Sequence, residues 1–146
     1  MEYKNQMKLE ILSIPANVAF ARVAVAAFAS QLEYTLADLD EIKVAVSEAV
    51  GNAMIHGYGN KKNKMVRIFA SLTEDTLEVV VEDDGKGIED VHQALQPAYS
   101  TDPERLGLGF VFMQSFMDTL KVESAPGRGT RVRMTKKAGA AAGPEH

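Results

Sequence analysis

Hydrophobic and polar positions along the chain follow two different periods, and each period predicts one kind of element. Apolar residues alternate with polar ones over residues 7–14, 66–72 and 77–82, which predicts strands. Two more strands are expected at 120–124 and 130–135, on either side of a turn rich in glycine. Helical spacing predicts helices over 16–32, from Asp38 or Asp40 as the N-cap to about residue 56, and over 110–118.

The order of these elements indicates the fold class. Strand, two helices, two strands, a loop, a helix and two strands predict an α+β two-layer sandwich. In that arrangement helices cover one face of a mixed, mostly antiparallel sheet. The predicted domain spans residues 1–137, and residues 138–146, which are mostly small and have nothing to bury, are expected to form a flexible tail.

Composition and charge exclude several classes of function. A chain of 146 residues with 46% hydrophobic residues can bury a core without disulfides, and the absence of cysteine excludes thiolate nucleophiles and zinc fingers. The net charge of -4 argues against direct nucleic-acid binding. The longest apolar run, 18–29, is too short to span a bilayer and is interrupted by Arg22. No signal peptide is visible, so a cytoplasmic location without membrane attachment is expected.

A polar seam runs along the second predicted helix. Glu48 is the only charged residue between Lys43 and His56, and Asn52 and His56 follow it at steps of four residues. Such steps keep side chains near one face of a helix. One acid and one amide make a thin metal site, so the seam suits a metal ion whose remaining oxygen ligands come from a nucleotide's phosphates.

Two glycine clusters are candidates for nucleotide binding. Asp83-x-Gly85-x-Gly87 follows a strand, where the carboxylate can accept a hydrogen bond from an exocyclic amine such as that of adenine. Gly107 and Gly109 stand where a loop meets a helix, so their amides can hold phosphate. Neither cluster is a Walker loop or a Rossmann fingerprint. Taken alone, the first also fits an ordinary turn and the second a hinge.

The other candidate side chains have structural alternatives. Glu48 and Asn52 can simply interact across one helical turn. His56 near a helix C-terminus fits a favourable dipole partner better than a catalyst. Arg22, alone on an apolar helix, either extends its charge to solvent or docks a partner.

Taken in order, the motifs resemble the GHKL superfamily of ATP-binding domains, which has the Bergerat fold. The segments "VSEAVGNAMIHGY", "VEDDGKGI", "RLGLGFVFMQSFMD" and "GRGTRV" are similar, within that superfamily, to the anti-sigma serine kinases of endospore-forming bacteria. The resemblance extends from residue 7 to about residue 136. It implies ATP or ADP and Mg²⁺ as cofactors.

The resemblance also implies a role for each motif residue. Glu48 matches the general base toward a substrate serine, and Asn52 matches the residue that ligates magnesium on the ATP phosphates. Asp83 matches the residue that reads the adenine amine, and Gly87 matches the glycine that lets the base approach. Thr130 matches a hydroxyl that supports adenine recognition through the same aspartate and a water.

The remaining matches concern phosphate and partner proteins. Gly107 and Gly109 match the phosphate-binding end of a lid, and Arg105 is a phosphate contact if the short lid reaches the nucleotide. Arg22 matches an arginine of the first helix that docks partner proteins. Gly51 departs from the family, which often has threonine there, and a glycine weakens the helix by about 1 kcal/mol.

The implied function has two parts. The chain is expected to sequester a sporulation sigma factor and to phosphorylate a serine of an anti-anti-sigma factor, acting as a homodimer. Alternatives are a general-stress anti-sigma kinase and a non-catalytic sigma-binding module that holds ATP structurally. A sensor histidine kinase fits poorly, because the sequence has no dimerising hairpin with a phosphoacceptor histidine.

Overall fold

A five-stranded antiparallel sheet organises the structure, a computed structural model that describes residues 3–96 and 106–139. The strands are β1 Asn5–Leu12, β2 Met65–Leu72, β3 Thr76–Asp83, β4 Thr119–Ser124 and β5 Thr130–Lys137. Their spatial order is β1-β2-β3-β5-β4, and all four pairings are antiparallel. The helices are α1 Ala16–Ala29, α2 Leu36–Asn52, α3 Val91–Ala94 and α4 Leu106–Phe116, with a π-helical turn, Ala53–Gly57, continuing α2.

The two faces of the sheet differ as the alternating sequence predicts. Val66, Ile68, Val79, Val81 and Met134 point to one face and are buried, and they form the core with the helices. The opposite face has a row of alternating charges across all five strands, because the register aligns Glu10, Arg67, Glu82, Arg131 and Glu123. Apolar residues on one face and charged residues on the other are typical of a sheet covered on one side.

Helix α2 lies at the centre of the helical layer. It contacts α1 on one side and α4 on the other, and Ile42, Val46 and Val50 on its core-facing side are fully buried. The α+β two-layer fold is therefore confirmed, with a sheet in which each described strand pair is antiparallel. None of the helices in the described ranges is long and apolar enough to cross a membrane.

Several element boundaries differ from the sequence prediction. The N-cap of α2 is Thr35, and neither Asp38 nor Asp40 has that role. Thr35 Oγ1 accepts a hydrogen bond from the Asp38 backbone N–H, and the Asp38 carboxylate accepts one from the Thr35 N–H, so the two residues form a capping box. Helix α4 begins four residues earlier than predicted, and the short helix α3 was not predicted.

Residue 138, the first of the predicted tail, is packed against the domain. Ala138 is buried, and its N–H donates to the carbonyl of Asp75 at 2.6 Å, so packing continues through this residue. Residues 140–146 lie outside the described residues. The division into a domain of residues 1–137 and a tail of 138–146 stays a prediction.

Candidate functional site

Glu48 and Asn52 lie together where α4 crosses α2. A Cβ atom added to Gly109 of α4 would lie 3.0 Å from Glu48 Oε1 and 3.0 Å from Asn52 Nδ2. Any side chain at this position would displace the pair, so glycine allows the first turn of α4 to approach it. The seam predicted from the sequence is therefore a close contact between two helices.

Burial affects the pKa of Glu48 and the hydrogen bonding of Asn52. Burial raises the pKa of Glu48 because it penalises the charged carboxylate. A carboxylate with a raised pKa is a stronger base once it is ionised. Asn52 Nδ2 is buried and has no hydrogen-bond partner among the described residues. Buried amides normally have a partner, so this amide is suited to meeting a ligand.

Asp83 forms the opposite end of the site, at the last residue of β3. Its side chain is buried, and its Oδ1 accepts a hydrogen bond of 2.8 Å from the Gly85 N–H. Burial raises the pKa of Asp83 to about 6, although the Gly85 hydrogen bond acts in the opposite direction. The carboxylate is thus held in a fixed orientation by the glycine that follows it.

Three glycines let the chain pack closely around Asp83. A Cβ on Gly57 would lie 2.6 Å from Asp83 Oδ1, and a Cβ on Gly85 would collide with the Gly57 carbonyl. Gly87 has φ of 79°, and a Cβ there would collide with the Ala125 carbonyl. Gly85 therefore supports the site by packing against the π-helical turn, while Gly87 lines the cavity itself.

Gly57 is a site residue that directly follows the predicted end of the second helix. Its contact with Asp83 depends on the π-helical turn Ala53–Gly57, which places the end of the helix beside β3. Such turns contain one extra residue per turn and frequently occur at functional sites. The sequence has no signal that separates this turn from an ordinary helix end.

Thr130 reaches the site from β5. It pairs with Asp83 across the sheet, and its Oγ1 lies 2.8 Å from Ser124 Oγ. Ser124 in turn donates to the Gly129 carbonyl at 2.7 Å and accepts from the Ile88 N–H at 2.8 Å. Thr130 therefore has a fixed position beside the carboxylate of Asp83.

A cavity of about 390 Å³ lies between the helical layer and the sheet, and Glu48 and Gly109 are not among the described residues that line it. Asn52 and His56 line it from the helical layer, Asp83 and Thr130 line it from the sheet, and Gly87 closes the same side. Its other walls are mainly small or apolar, and they include Ala49, Ala53, Val81, Phe110 and Val132. A cavity of this size with apolar side chains and a few polar groups is typical of small-molecule sites.

The remaining predicted residues lie at different distances from the cavity. Gly107 is buried in the first turn of α4, two residues before Gly109. Arg105 lies outside the described residues. Arg22 does not line the cavity; its Nη1 donates to Ser47 Oγ at 3.3 Å, linking α1 to α2 one residue before Glu48.

A metal ion at this site needs ligands from a nucleotide. Residues 3–96 and 106–139 contain no group of three or more acidic or histidine side chains that could hold a metal. Asn52 nevertheless lines the cavity, and its side-chain oxygen is a ligand of the kind that suits Mg²⁺. The donor set therefore fits a magnesium ion held mainly by phosphates.

Comparison with known proteins identifies the class of this fold and site. Residues 11–136 match the histidine kinase-like ATPase domain family. In solved structures, the RsbU and RsbW domains of Rv1364c from Mycobacterium tuberculosis share the fold, with a TM-score of 0.66 at 16% identity over 92% of this chain and 32% of that chain. The blue-light activated histidine kinase EL346 of Erythrobacter litoralis has a TM-score of 0.58 at 21% identity, over 87% and 42% of the two chains. An ATPase domain acts on ATP, so ATP is the nucleotide for this class.

Sequence relatives identify the particular family. The chain is 52% identical to the anti-sigma F factor of Clostridium novyi, over 91% of this chain and 94% of the relative. It is 53% identical to the anti-sigma F factor of Thermoanaerobacter sp. strain X514, over 95% and 98%. The chain belongs to the anti-sigma F factor family of histidine kinase-like ATPase domains.

Proposed function

We propose that the protein sequesters a sporulation sigma factor and uses Mg-ATP to phosphorylate a serine of an anti-anti-sigma factor. The observation that carries the kinase proposal is the contact of Gly109 with both Glu48 and Asn52, beside a cavity that ends at Asp83. This contact brings a base, a metal ligand and a helix N-terminus together. The relatives' family name supports the sigma-binding part.

The nucleotide is held by groups at both ends of the cavity. The Asp83 carboxylate accepts a hydrogen bond from the adenine amine, with Thr130 beside it and Gly87 leaving room for the ring. The triphosphate then extends toward Asn52 and the first turn of α4. Amides near Gly107 and Gly109 stabilise phosphate oxygens, as helix N-termini do, and Arg105 is proposed as a further contact.

Phosphoryl transfer follows from this placement. When bound through Asn52 and the phosphates, Mg²⁺ neutralises charge on the phosphate oxygens. Glu48 orients the serine hydroxyl and accepts its proton as the serine oxygen bonds to the γ-phosphorus. The bond from that phosphorus to the bridging oxygen breaks, and ADP leaves. Positioning supplies most of the acceleration, with the base adding to it.

The partner proteins are proposed to dock on α1. Phe20 and Val23 on this helix are 53% and 58% exposed, and Arg22 lies between them in the sequence. Apolar side chains beside a cation are suited to a protein interface. A homodimer and a cytoplasmic location remain part of the proposal, and the mass of the purified chain by light scattering tests the dimer.

Incubation with labelled ATP, magnesium and a cognate anti-anti-sigma protein tests the kinase activity. We expect serine labelling in the wild type and a loss of about 100-fold or more in Glu48→Gln, because the amide cannot accept the proton. ATP affinity should survive the substitution. Equal labelling in the variant would overturn the role of Glu48, and no labelling in the wild type would favour the non-catalytic sigma-binding alternative.

The choice between a sporulation and a general-stress partner needs its own test. The anti-sigma F relatives favour the sporulation sigma factor. We expect the chain to retain a sporulation sigma factor in a pull-down at stoichiometric ratio and to leave a general-stress sigma factor unbound. Preference for the stress factor would overturn the assignment.

A further inference from the structure

Lys136 is a buried lysine that the proposed mechanism does not use. Only 8% of the residue is exposed, and it lies on the core-facing side of β5. Its Nζ donates to the Phe116 carbonyl at 2.6 Å and to Glu41 Oε1 at 3.1 Å. The ammonium therefore connects the last residue of α4 to an acid in the first half of α2.

The spacing of these contacts matches the spacing of the active residues. Glu41 precedes Glu48 by seven residues on α2, and Phe116 follows Gly109 by seven residues on α4. Seven residues are about two helical turns, or roughly 10 Å, and return to nearly the same face. The two helices are thus antiparallel and are linked at two matched levels. One level contains the Gly109 contact with Glu48, and the other contains Lys136.

The backbone of Lys136 is itself held firmly in the sheet. Lys136 pairs with Leu77 of β3, and the Tyr34 hydroxyl donates to the Lys136 carbonyl. The same hydroxyl accepts a hydrogen bond of 3.2 Å from the Leu77 N–H. The ammonium therefore extends from a fixed point of the sheet and can determine how far α4 slides along α2.

We propose that Lys136 is a positioning residue that sets the register of α4 against α2 and thereby holds Gly107 and Gly109 at the correct distance from Glu48 and Asn52. The proposal rests on the proposed kinase function. A cation also satisfies a carbonyl at the C-terminus of α4, which has no partner within the helix. Because α4 packs as a rigid rod, a shift at Phe116 is transmitted to Gly109.

The test replaces Lys136 by methionine, which keeps the length and removes the charge. Glu41 keeps access to solvent, since 40% of its side chain is exposed, so the variant should fold. We expect kcat for serine phosphorylation to fall by about tenfold or more, because small misplacements at a reacting centre have effects of that size. The KM for ATP should change less, because the end of the cavity at Asp83, where adenine is proposed to bind, is unaffected. Lys136→Arg should recover most of the activity.

Lys137→Met is the matched control on the same strand. Lys137 is exposed and forms an ion pair of 3.6 Å with Asp75, away from the helices. Its substitution should leave kcat unchanged. If Lys136→Met lowers only the melting temperature and leaves kcat at the wild-type value, Lys136 is merely structural and the proposal is wrong.

Amide hydrogen exchange gives a readout that does not depend on kinase activity. In Lys136→Met we expect faster exchange at the amides of residues 107–109, and Glu41→Gln should show a smaller effect in the same direction. Unchanged exchange in both variants would overturn the proposal, even if the wild type transfers no phosphate. Should Lys136→Met fail to fold, Glu41→Gln supplies both the kinetic and the exchange test.

Discussion

The cavity has a base end at Asp83, named for the adenine base, and a phosphate end at Asn52. The two ends are built in different ways. At the base end, Asp83 accepts from the Gly85 amide, Thr130 contacts Ser124, and Gly57 and Gly87 pack against their neighbours with no room for a side chain. At the phosphate end, Asn52 Nδ2 has no partner among the described residues, and Glu48 is partly buried, which raises its pKa. The base end is therefore suited to recognising adenine by its fixed shape, whereas the phosphate end needs groups of the nucleotide to complete its hydrogen bonds.

The largest effect on nucleotide binding is expected from a substitution at the base end. In Asp83→Asn the amide should keep the size of the side chain and lose the charged acceptor, at a cost of about 2 kcal/mol of binding free energy for ATP. ADP should lose the same amount, because both nucleotides share the base. Titration calorimetry measures both affinities, with and without magnesium.

Asn52→Ala is the matched change at the phosphate end. Its effect should appear only when magnesium is present, because Asn52 is proposed to act through the metal. The comparison between the two ends fails if Asp83→Asn weakens binding only with magnesium, or if Asn52→Ala weakens it equally without magnesium.

A methyl group at the phosphate end should have the next largest effect. Gly109→Ala places a Cβ 3.0 Å from Glu48 Oε1 and from Asn52 Nδ2, so one of them must move. We expect kcat to fall by roughly tenfold, with a smaller change in the KM for ATP. Steady-state kinetics with the anti-anti-sigma substrate measures both, and an unchanged kcat would show that the contact does not position the pair.

The pH dependence of ATP binding tests the proposed role of the Asp83 carboxylate. The carboxylate must be ionised to accept strongly from the adenine amine, and its pKa is raised to about 6. ATP affinity should therefore fall as pH decreases through 6, to about one quarter of its plateau near pH 5.5. A flat affinity between pH 7.5 and 5.5 would contradict this role, and Asp83→Asn is the control that should lose the dependence.

The same raised pKa has the opposite consequence for stability without nucleotide. The folded state binds the Asp83 proton more tightly than the unfolded state does, so this group favours folding increasingly as pH falls from about 6 toward its ordinary value near 3.8. At neutral pH its ionisation destabilises the fold. ATP binding and stability should thus change in opposite directions with pH through this one group.

The smallest expected effect comes from a glycine outside both ends. Gly51 is helical, and a Cβ there would meet nothing within 4 Å. Gly51→Ala should raise the free energy of unfolding by roughly 0.5–1 kcal/mol, because alanine loses less conformational entropy in a helix. Urea denaturation measures it, and kcat should be unchanged. This variant is also the control for Gly109→Ala.

Much of the site could be predicted because it depends on local patterns. The alternation of apolar and polar residues predicts the strands. Because the motif Asp83-x-Gly85-x-Gly87 follows one of them, it is expected at the end of β3, where it lies. Steps of four residues brought Glu48 and Asn52 to one face of α2. Thr35 also has a local cap signal, since it stands three residues before Asp38.

The rest could not be predicted because it depends on contacts between distant segments. The π-helical turn brings Gly57 against Asp83, and nothing local specifies that approach. Lys136 lies just outside the predicted strand 130–135, although extending the alternation of Val132 and Met134 by one step places it on the buried face. A lysine in such a row is an exception that only its partners in space, Glu41 and Phe116, explain.

We propose that a single cavity holds ATP with its adenine at Asp83 and its terminal phosphate beside Glu48 and Asn52. A crystal structure with magnesium and a non-hydrolysable ATP analogue tests it most directly. We expect the adenine amine within about 3 Å of an Asp83 oxygen, and magnesium bound by Asn52 and phosphate oxygens. An adenine bound elsewhere, or a terminal phosphate directed away from Glu48 and α4, would contradict it.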